Sequence, residues 1–400
     1  MRDGAAGFDV AVIGAGVVGL AVAAAAARRG RSVLILESES GIARGVTSRN
    51  SEVVHAGIYY PQESLKAQFC VEGRKRLYDW CCERSVPFRK LGKLIVATDA
   101  EEASVLADLL ARGEANGVEG LSVIDAAQVQ RLEPAVSAVA ALHSPETGIV
   151  DAHAFCLSLL AAAEADGAVL AAARSVDSLE ARSFGWRLGS RASDGRREEV
   201  DVGGVVDAAG LSADRIAALA GLPVDALGWR QHPCKGDYFK LAPGGQGGTG
   251  GPGFSLDRLV YPVPQVAGLG IHVTLDLAGQ IRFGPDATYL SREGGGSVNG
   301  DGGGDPQAAP PEFDFEVDAA KAPRFAEAAS RYLPALAGAV FIPDYAGIRP
   351  KLAAPGEAFR DFVVEEATAH GAPGFFACIG IESPGLTAAL AIGEHLAEQL

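Results

Sequence analysis

The first 37 residues alternate between apolar runs and short glycine-rich turns. The run FDVAVIGAG, residues 8–16, predicts a buried strand, and VVGLAVAAAAARRG, residues 17–30, predicts an alanine-rich helix that ends at Gly30. RSVLILE, residues 31–37, predicts a second buried strand that ends in Glu37. A strand, a helix and a second strand in this order predict the start of a parallel sheet.

The turn between the first strand and the helix has the glycine spacing of a dinucleotide-binding loop. Gly14 permits a tight turn, Gly16 lets the backbone approach a pyrophosphate, and Gly19 lets the helix pack on the strand. The helix N terminus attracts phosphates through its free N–H groups. Glu37, 18 residues after Gly19, is placed to accept hydrogen bonds from a ribose and disfavours a 2′-phosphate. The pattern therefore predicts FAD or NAD rather than NADP.

The chain after Glu37 favours FAD over NAD, because the strand–helix repeats do not continue there. A helix is predicted from Ser64, and FRKLGKLIVATD, residues 88–99, predicts strands of a different sheet. The nucleotide unit resumes downstream, with a helix capped by Asp151 and, later, a strand, a turn at Gly210 and a further helix. Inserted strands of this kind interrupt the nucleotide domain of many flavoproteins.

Residues 374–400 predict a strand, a loop and an apolar helix. Ser383 is the expected N-cap of this helix and Pro384 its first helical residue. In a flavoprotein, this helix N terminus would face the flavin edge where negative charge gathers on reduction. The alternative is a capped terminal helix without a ligand.

These elements predict an α/β plus α+β fold, in which a Rossmann-type FAD-binding domain is interrupted by a substrate-binding domain with a mixed or antiparallel sheet. The FAD-binding domain is expected to comprise residues 1–85, 145–222 and 342–400, and the substrate-binding domain residues 86–144 and 223–341. Two glycine-rich stretches, residues 243–253 and 294–304, are interpreted as surface insertions without chemistry.

One strand pattern in the second domain involves a histidine. Apolar and other residues alternate from 269 to 276, which places His272 on the polar face. We expect His272 to face solvent, with a cavity as the alternative. The apolar face comprises Leu269, Ile271, Val273 and Leu275, and the polar face Gly270, His272, Thr274 and Asp276.

Composition narrows the partners and the chemistry. The formal net charge of −15 argues against nucleic acid or an anionic membrane surface as the main partner. Six cysteines and seven histidines are scattered without ligand spacing, so we expect free thiols and no metal site. The apolar run of residues 11–29 is near the lower length limit for a bilayer span, but its glycine pattern favours the nucleotide fold over a membrane or signal segment.

The assembled motifs resemble the FAD-dependent D-amino-acid-oxidase superfamily and, within it, the L-2-hydroxyglutarate dehydrogenase family. The resemblance runs from about Asp9 to the end of the sequence. It rests on VIGAGVVGLAVA, SRNSEVVHAGIYYPQESLKAQFC, GKLIVATD, SPETGIVDAHAF, LVYPVP, GLGIHVT, FGPD, AGIRPKL and GIESPGLTAALAI. One departure is Lys235, where the family usually has arginine; lysine keeps the charge but loses the planar fork that grips a carboxylate.

The resemblance implies oxidation of the 2-hydroxyl of L-2-hydroxyglutarate to give 2-oxoglutarate, with FAD as hydride acceptor. It implies a small 2-hydroxy acid as substrate and a quinone or another carrier as electron acceptor. It also implies a mitochondrial protein in a eukaryote, and a cytoplasmic or inner-membrane-associated one, with peripheral membrane association, in a bacterium. We expect no targeting or transmembrane segment in this chain.

Site roles follow from the resemblance and from the chemistry of a dianionic alcohol. His55 and His272 are the candidates for the base, and Arg349 is the first candidate for binding a carboxylate, with a structural ion pair as the alternative. Tyr60, Lys66 and Lys235 are further substrate-binding candidates, although Tyr60 could simply pack and Lys66 could be a solvated helix lysine. The candidates for cofactor binding are Gly14, Gly16, Val18, Gly19, Glu37, Ser38, Thr47, Ser48, Arg49, Asn50, Ser51, His55, Ala209, Gly210, Gly347, Arg349, Gly380, Glu382, Ser383, Pro384, Gly385, Leu386 and Thr387.

Three alternatives stay open at this point. The first is a sister flavoenzyme that acts on another 2-hydroxy acid, on glycerol 3-phosphate or on an amino acid. The second is an FAD-carrying protein that serves binding or assembly without turnover. The third is an NAD enzyme, which a yellow purified protein would exclude.

Overall fold

The computed structural model describes residues 7–242, 253–264, 270–291 and 313–400. The predicted glycine-rich stretch 294–304, all of 243–253 except Gly253, and Leu269 lie outside the described residues. No helix in the described ranges is long and apolar enough to cross a membrane. The six cysteines, all of them described, are free.

Eight helices and twenty strands make up the described part of the chain. The helices are α1 (Val17–Arg28), α2 (Leu65–Arg84), α3 (Ala100–Ala115), α4 (Ala126–Leu132), α5 (Ala152–Ala165), α6 (Ala213–Leu219), α7 (Ala322–Ser330) and α8 (Gly385–Ala397). The strands are β1 (Phe8–Ile13), β2 (Val33–Leu36), β3 (Val53–Val54), β4 (Phe88–Arg89), β5 (Lys93–Ala97), β6 (Ser122–Asp125), β7 (Ala140–Ser144), β8 (Gly148–Val150), β9 (Val169–Ala171), β10 (Arg174–Arg182), β11 (Gly185–Ala192), β12 (Arg197–Asp207), β13 (His232–Leu241), β14 (Leu259–Pro262), β15 (Val273–Leu275), β16 (Ile281–Phe283), β17 (Thr288–Tyr289), β18 (Phe341–Lys351), β19 (Val363–Glu366) and β20 (Phe375–Ile379).

The first sheet has eight strands in the order β10-β11-β12-β1-β2-β9, with β20 paired to β12 and β19 paired to β20. Its centre, β20-β12-β1-β2-β9, is parallel, while β10, β11 and β19 add antiparallel edges. Side chains of α1, α5 and α8 share a buried cluster with one face of this sheet, and α6 shares one with the other face. Helices on both faces of a parallel sheet confirm the predicted Rossmann-type fold.

Helices α1 and α8 pack with their backbones in near contact. A methyl group added at Gly393 would lie 2.7 Å from the carbonyl carbon of Ala21. Arg29 forms an ion pair with Glu394 at 2.8 Å at the far ends of the two helices. Since α1 follows β1, α8 follows β20, and both strands run parallel to β12, both helix N termini lie at the carboxyl edge of the sheet.

Local signals place the helix ends, with one exception. Ser64 and Asp151 cap α2 and α5 by accepting hydrogen bonds from Ala67 and Ala154, which confirms both predicted starts. The prediction for Ser383 and Pro384 is wrong: Pro384 occupies the N-cap position, and no side chain caps α8. The hydroxyl of Ser383 instead lies 3.1 Å from a ring nitrogen of His55.

The second sheet has nine strands in the order β17-β13-β16-β15-β14-β5-β7-β6, with β18 paired to β13. The pairing of β5 with β14 is parallel, and its other pairings are antiparallel, so the sheet is mixed as predicted. One face packs against α7 and the other packs against α3 and the loop that follows β3.

The expectation that His272 faces solvent is wrong. His272 is buried, and its ring stacks on that of Tyr261 with centroids 3.7 Å apart and planes 7° apart. The next polar-face residue, Thr274, is buried as well. Alternation along one strand does not reveal that β14 supplies a tyrosine that covers the histidine.

A third sheet has three short strands in the order β3-β8-β4, and two of them lead into segments with predicted roles. Strand β3 leads directly into His55, and β8 leads into Asp151 at the start of α5. Val53 pairs with Ile149 and Val54 with Gly148, so the backbone before His55 is held by a strand rather than by a loop.

Candidate active site

The turn after β1 is a cradle made of backbone atoms. Gly14 has a φ of +104°, and a methyl group added there would lie 2.5 Å from the carbonyl oxygen of Ala208. A methyl group added at Gly19 would overlap the carbonyl oxygen of Gly14, so both positions need glycine. Gly16 stands at the N-cap position of α1, which Val17 and Val18 open. The free N–H groups of this helix end suit a pyrophosphate.

Glu37 follows β2 at the same edge of the sheet and organises the neighbouring backbone. One carboxylate oxygen accepts the N–H of Ala15 at 2.8 Å. The other accepts the N–H of Glu39 at 2.8 Å and the hydroxyl of Ser38 at 3.2 Å. The carboxylate therefore supports the glycine turn and keeps lone pairs for a ribose at the end of β2.

The polar segment after the first unit divides into two parts. Thr47 bonds to the start of α1, because its hydroxyl oxygen accepts the N–H of Val17 at 3.1 Å. Ser48 turns back on its own segment and donates to the carbonyl of Gly45 at 3.0 Å. Asn50 likewise donates to the carbonyl of Thr47 at 2.6 Å. Of these three side chains, Thr47 is the one that bonds to the helix over which the pyrophosphate would lie.

Arg49 and Ser51 connect this segment to the second sheet. The guanidinium of Arg49 lies 4.3 Å from the ring centre of Phe315, and the hydroxyl of Ser51 lies 2.7 Å from that of Tyr238. A methyl group added at Gly347 would overlap the carbonyl oxygen of Arg49. Strand β18 and this segment are therefore in backbone contact.

Gln231 links two further candidate loops. Its side-chain amide donates to the carbonyl of Gly210 at 3.0 Å and accepts the N–H of Gly380 at 3.1 Å. Ala209, beside Gly210, donates its N–H to the carboxylate of Asp207 at 3.1 Å. The loops that follow β12 and β20 are thus held together at the carboxyl edge of the first sheet. Gln231 carries no motif, and the sequence analysis missed it.

His55 is held by the start of α8. Its backbone N–H donates to the hydroxyl oxygen of Thr387 at 3.0 Å, and its Nε2 lies 3.1 Å from Oγ of Ser383. Its Nδ1 is enclosed and has no hydrogen-bond partner among the described residues. Burial, and then the charge of Lys93, lower the pKa of His55 to about 3. The imidazole is therefore neutral at pH 7, with one nitrogen fixed and the other unbonded.

Glu382 neutralises two lysines next to this histidine. The ammonium of Lys66 is buried, lies 3.0 Å from the Glu382 carboxylate, and donates to the carbonyl of Arg360 at 2.9 Å. Lys351 lies 3.4 Å from the other carboxylate oxygen. Burial alone would raise the pKa of Glu382, but the charges of Lys66, Lys351 and Arg349 outweigh it and lower the pKa. Lys66 is thus an ion-paired residue, and its interpretation as a solvated helix lysine is wrong.

Arg349, on β18, binds main-chain carbonyls. Its guanidinium donates to the carbonyl oxygens of Cys234 at 3.4 Å, Lys235 at 3.3 Å and Asp286 at 2.5 Å. Among the described residues it forms no ion pair, and its Nη1 forms no hydrogen bond. The described residues therefore offer no partner for the predicted alternative of a structural ion pair. One edge of the guanidinium is held in place while the other can bind an anion.

Lys235 does not join Arg349. Cys234 lies opposite Arg349 in the β13–β18 pair, so the pleat places Lys235 on the other face of the sheet. Its ammonium bonds to the carbonyl of Glu316 and lies 3.9 Å from Asp237.

Tyr60 lies beside Ser383 and Glu382. Burial raises the pKa of Tyr60, and the hydroxyl of Ser383 opposes this shift. The phenol is thus neutral and can donate a hydrogen bond.

A buried lysine is the main feature that the sequence analysis missed. Lys93 begins β5 and is 1% exposed, with its ammonium 4.7 Å from the ring centre of Tyr59 and 4.8 Å from that of Tyr261. Its signal in the sequence is a charged residue at the start of the otherwise apolar strand KLIVA. Lysine is rarely fully buried without a partner, so Lys93 is a candidate binding residue alongside the two histidines.

The family model DAO, described as FAD dependent oxidoreductase, matches residues 9–399. The chain belongs to this family. The predicted resemblance to flavoproteins of the D-amino-acid-oxidase type is thereby confirmed.

Three known proteins illustrate the similarity. L-2-hydroxyglutarate dehydrogenase of Arabidopsis thaliana mitochondria is 39% identical over 98% of this chain and 83% of its own length. The mitochondrial enzyme of Bos taurus is 37% identical over 73% of this chain, and the chain spans 64% of it, slightly less than two thirds. Among solved structures, L-alpha-glycerophosphate oxidase from Mycoplasma pneumoniae with FAD bound has a TM-score of 0.79 and 25% identity, covering 98% of this chain and 95% of the oxidase.

The geometry of this chain fits the cofactor of its family. Gly14 and Gly19 leave a cradle that a side chain would fill, and Glu37 stands at the end of β2. The two helix ends, α1 and α8, lie at one edge of the sheet and offer partial positive charge at two places. An elongated dinucleotide with an electron-accepting ring suits such a pair of sites.

Proposed function

We propose that this protein oxidises the 2-hydroxyl of L-2-hydroxyglutarate to the ketone, giving 2-oxoglutarate. The observation that carries the proposal is the 39% identity to an L-2-hydroxyglutarate dehydrogenase over 98% of the chain. It is supported by the dinucleotide cradle around Gly14 and Gly19 and by the neutral His55 beside the start of α8. FAD, when bound, accepts the hydride that leaves C2 of the substrate.

His55 is our first candidate for the group that removes the hydroxyl proton. A proton can be accepted at Nδ1 only if Nε2 carries the ring hydrogen. Oγ of Ser383, 3.1 Å from Nε2, can accept that hydrogen and so is compatible with the required tautomer. A bound anionic substrate would raise the low pKa of His55 and make it a better base. His272 stays the second candidate, although its ring is stacked on Tyr261.

Arg349 is proposed to bind the carboxylate next to the reacting carbon. Its guanidinium is fixed by three main-chain carbonyls, so its orientation is set before substrate arrives. Tyr60 is proposed as a neutral donor nearby. We keep Lys66 and Lys235 as weaker candidates, because each ammonium already has carboxylate or carbonyl partners.

We further propose a quinone or another carrier as electron acceptor, and peripheral membrane association if the protein is bacterial. A mitochondrial location is proposed if it is eukaryotic, since the plant and bovine relatives are named as mitochondrial. We also propose the domain division given above, with β18 counted with the second sheet because it pairs with β13.

The test is anaerobic mixing of the purified protein with substrate while the absorption of the oxidised flavin is followed. L-2-hydroxyglutarate should bleach the flavin, and the D enantiomer should not. Glycerol 3-phosphate and L-amino acids serve as comparison substrates. Faster bleaching by one of these would assign the protein to a sister activity, and no bleaching by any of them would favour a binding role.

A further inference from the structure

Lys93 is a buried lysine for which the described residues provide no anionic partner. Lys93 is the first residue of β5, and its side chain is enclosed, with the ammonium between the rings of Tyr59 and Tyr261. Within residues 7–242, 253–264, 270–291 and 313–400, no carboxylate lies within ion-pair distance of Nζ and no hydrogen bond to it is present. A buried charge normally has a paired or hydrogen-bonded partner, because desolvation is costly. Burial lowers the pKa of Lys93 to about 7, and an anionic ligand beside the amine would restore its charge.

Two further polar atoms beside Lys93 lack partners among the described residues. They are the hydroxyl of Tyr59 and Nδ1 of His55, and both atoms are buried. The ring of Tyr59 is in direct contact with the ammonium, and the charge of Lys93 contributes to the lowered pKa of His55. Two buried polar atoms without partners thus belong to residues that interact with Lys93, whereas buried polar groups in folded proteins nearly always have partners.

The side chains around Tyr59 and along the strand of Lys93 are apolar. Ala56, Ile58 and Ile95 are buried in one apolar cluster, against which Tyr59 packs. An ammonium beside apolar side chains suits a carboxylate that is carried on methylene groups. L-2-hydroxyglutarate has two methylene groups between its reacting carbon and its second carboxylate, so its far end matches this chemistry.

We propose that Lys93 binds the carboxylate of the substrate that is remote from the reacting carbon, with the hydroxyl of Tyr59 as a second donor. Arg349 would then take the carboxylate next to the reacting carbon, and His55 would accept the hydroxyl proton. This assignment rests on the proposed function and makes Lys93 the residue that distinguishes dicarboxylates from monocarboxylates. It also gives a role to the lysine at the start of a buried strand.

The test compares two substrates that differ only at the far end. L-2-hydroxyglutarate carries the second carboxylate, and L-2-hydroxypentanoate has a methyl group there. Lys93→Met should lower kcat/KM for the dicarboxylate by about 10- to 150-fold, the range for a hydrogen bond to a charged group. It should leave kcat/KM for the monocarboxylate within about threefold. Lys93→Arg should retain much of the preference, and Lys90→Met, at an exposed lysine near the same strand, is the matched control.

A binding measurement separates this proposal from the proposed function. Glutarate and pentanoate, which have no hydroxyl to oxidise, are titrated against the flavin spectrum of the FAD-loaded protein. The wild type should bind glutarate more tightly, and Lys93→Met should bind the two with similar affinity. If L-2-hydroxyglutarate does not bleach the wild type but the preference for glutarate is present and depends on Lys93, the proposed function fails and the Lys93 site stands.

Two results would overturn the assignment. An equal fall for both substrates in Lys93→Met would place the lysine at the reacting carbon or in a structural role. An unchanged preference for glutarate would mean that another group binds the far carboxylate. If Lys93→Met does not retain FAD, Tyr59→Phe decides in the same assays: a smaller loss of the dicarboxylate preference supports the site, and no loss contradicts it.

Discussion

Removal of the Ser383 hydroxyl tests whether the start of α8 prepares His55 for proton transfer. Ser383→Ala deletes the hydrogen bond of 3.1 Å to His55, between neutral groups, and also removes the hydroxyl beside Tyr60. Such a bond contributes about 0.5–1.5 kcal/mol, which corresponds to about a 2- to 13-fold change in rate. The second hydrogen bond that holds the histidine, from its backbone N–H to Thr387, is left intact. We therefore expect a modest fall in kcat with L-2-hydroxyglutarate and no loss of bound FAD.

The assay is single-turnover flavin reduction under anaerobic conditions, which isolates the chemical step from reoxidation. His55→Gln should lower the same rate by about 100- to 10,000-fold if the histidine is the general base. Ser383→Thr keeps the hydroxyl and should behave like the wild type.

The double variant Ser383→Ala with His55→Gln tests whether Ser383 acts through His55. If Ser383 acts only by orienting His55, adding Ser383→Ala to His55→Gln should cause almost no further loss, because the interaction is already absent. Additive losses would show that Ser383 contributes to the reaction by another route. A Ser383→Ala variant with an unchanged rate would show that the imidazole needs no help to hold its tautomer.

Three further predictions concern the cradle, the α8 contact and the buried lysine. Gly19→Ala should abolish most FAD retention, because its methyl group would overlap the Gly14 carbonyl; the measurement is flavin per protein after gel filtration. Gly253→Ala, whose methyl group would lie in open space, is the control and should retain FAD. A Gly19→Ala protein that retains FAD would contradict the role proposed for the glycine turn. Thr387→Val should lower the free energy of unfolding by about 1–3 kcal/mol, since it leaves the part-buried His55 N–H unbonded. Thr387→Ser keeps this hydrogen bond and loses only a buried methyl group, so it should have a smaller effect. Equal melting curves for the two variants would count against this. Burial lowers the pKa of Lys93 from 10.5 to about 7, so the unfolded chain binds one more proton than the folded protein between these pH values. The contribution of Lys93 to stability therefore rises with pH across that window. Lys93→Met should remove this rise from melting temperatures measured between pH 7 and 9, and a pH profile identical to that of the wild type would refute the prediction.

The sequence predicts well those features that a few neighbouring residues determine. The glycine turn, the cap at Ser64 and the cap at Asp151 each depend on contacts within one short segment. The family motifs also predict both His55 and Ser383 as site residues, although 328 positions separate them. The physical reason is that backbone geometry needs particular residue types at fixed spacing.

Predictions fail where a distant segment decides the outcome. His272 is covered by a tyrosine from β14, Lys66 finds its carboxylate at position 382, and Ser383 bonds to a histidine instead of capping its helix. The environment of Lys93 is assembled from Tyr59 and Tyr261, which lie 34 positions before it and 168 after it. Alternation of apolar residues shows which face of a strand is buried but not what is buried against it.

The near contact of α1 and α8 gives a remote position control over the cofactor. Gly393 lies in the second half of α8, yet its closeness to Ala21 sets the separation of the two helix ends that a dinucleotide would span. A methyl group at position 393 would push those ends apart while every candidate site residue kept its identity. A ranking of substitutions by distance from the substrate would class such a change as harmless, whereas the close approach of the two helices predicts weaker FAD retention.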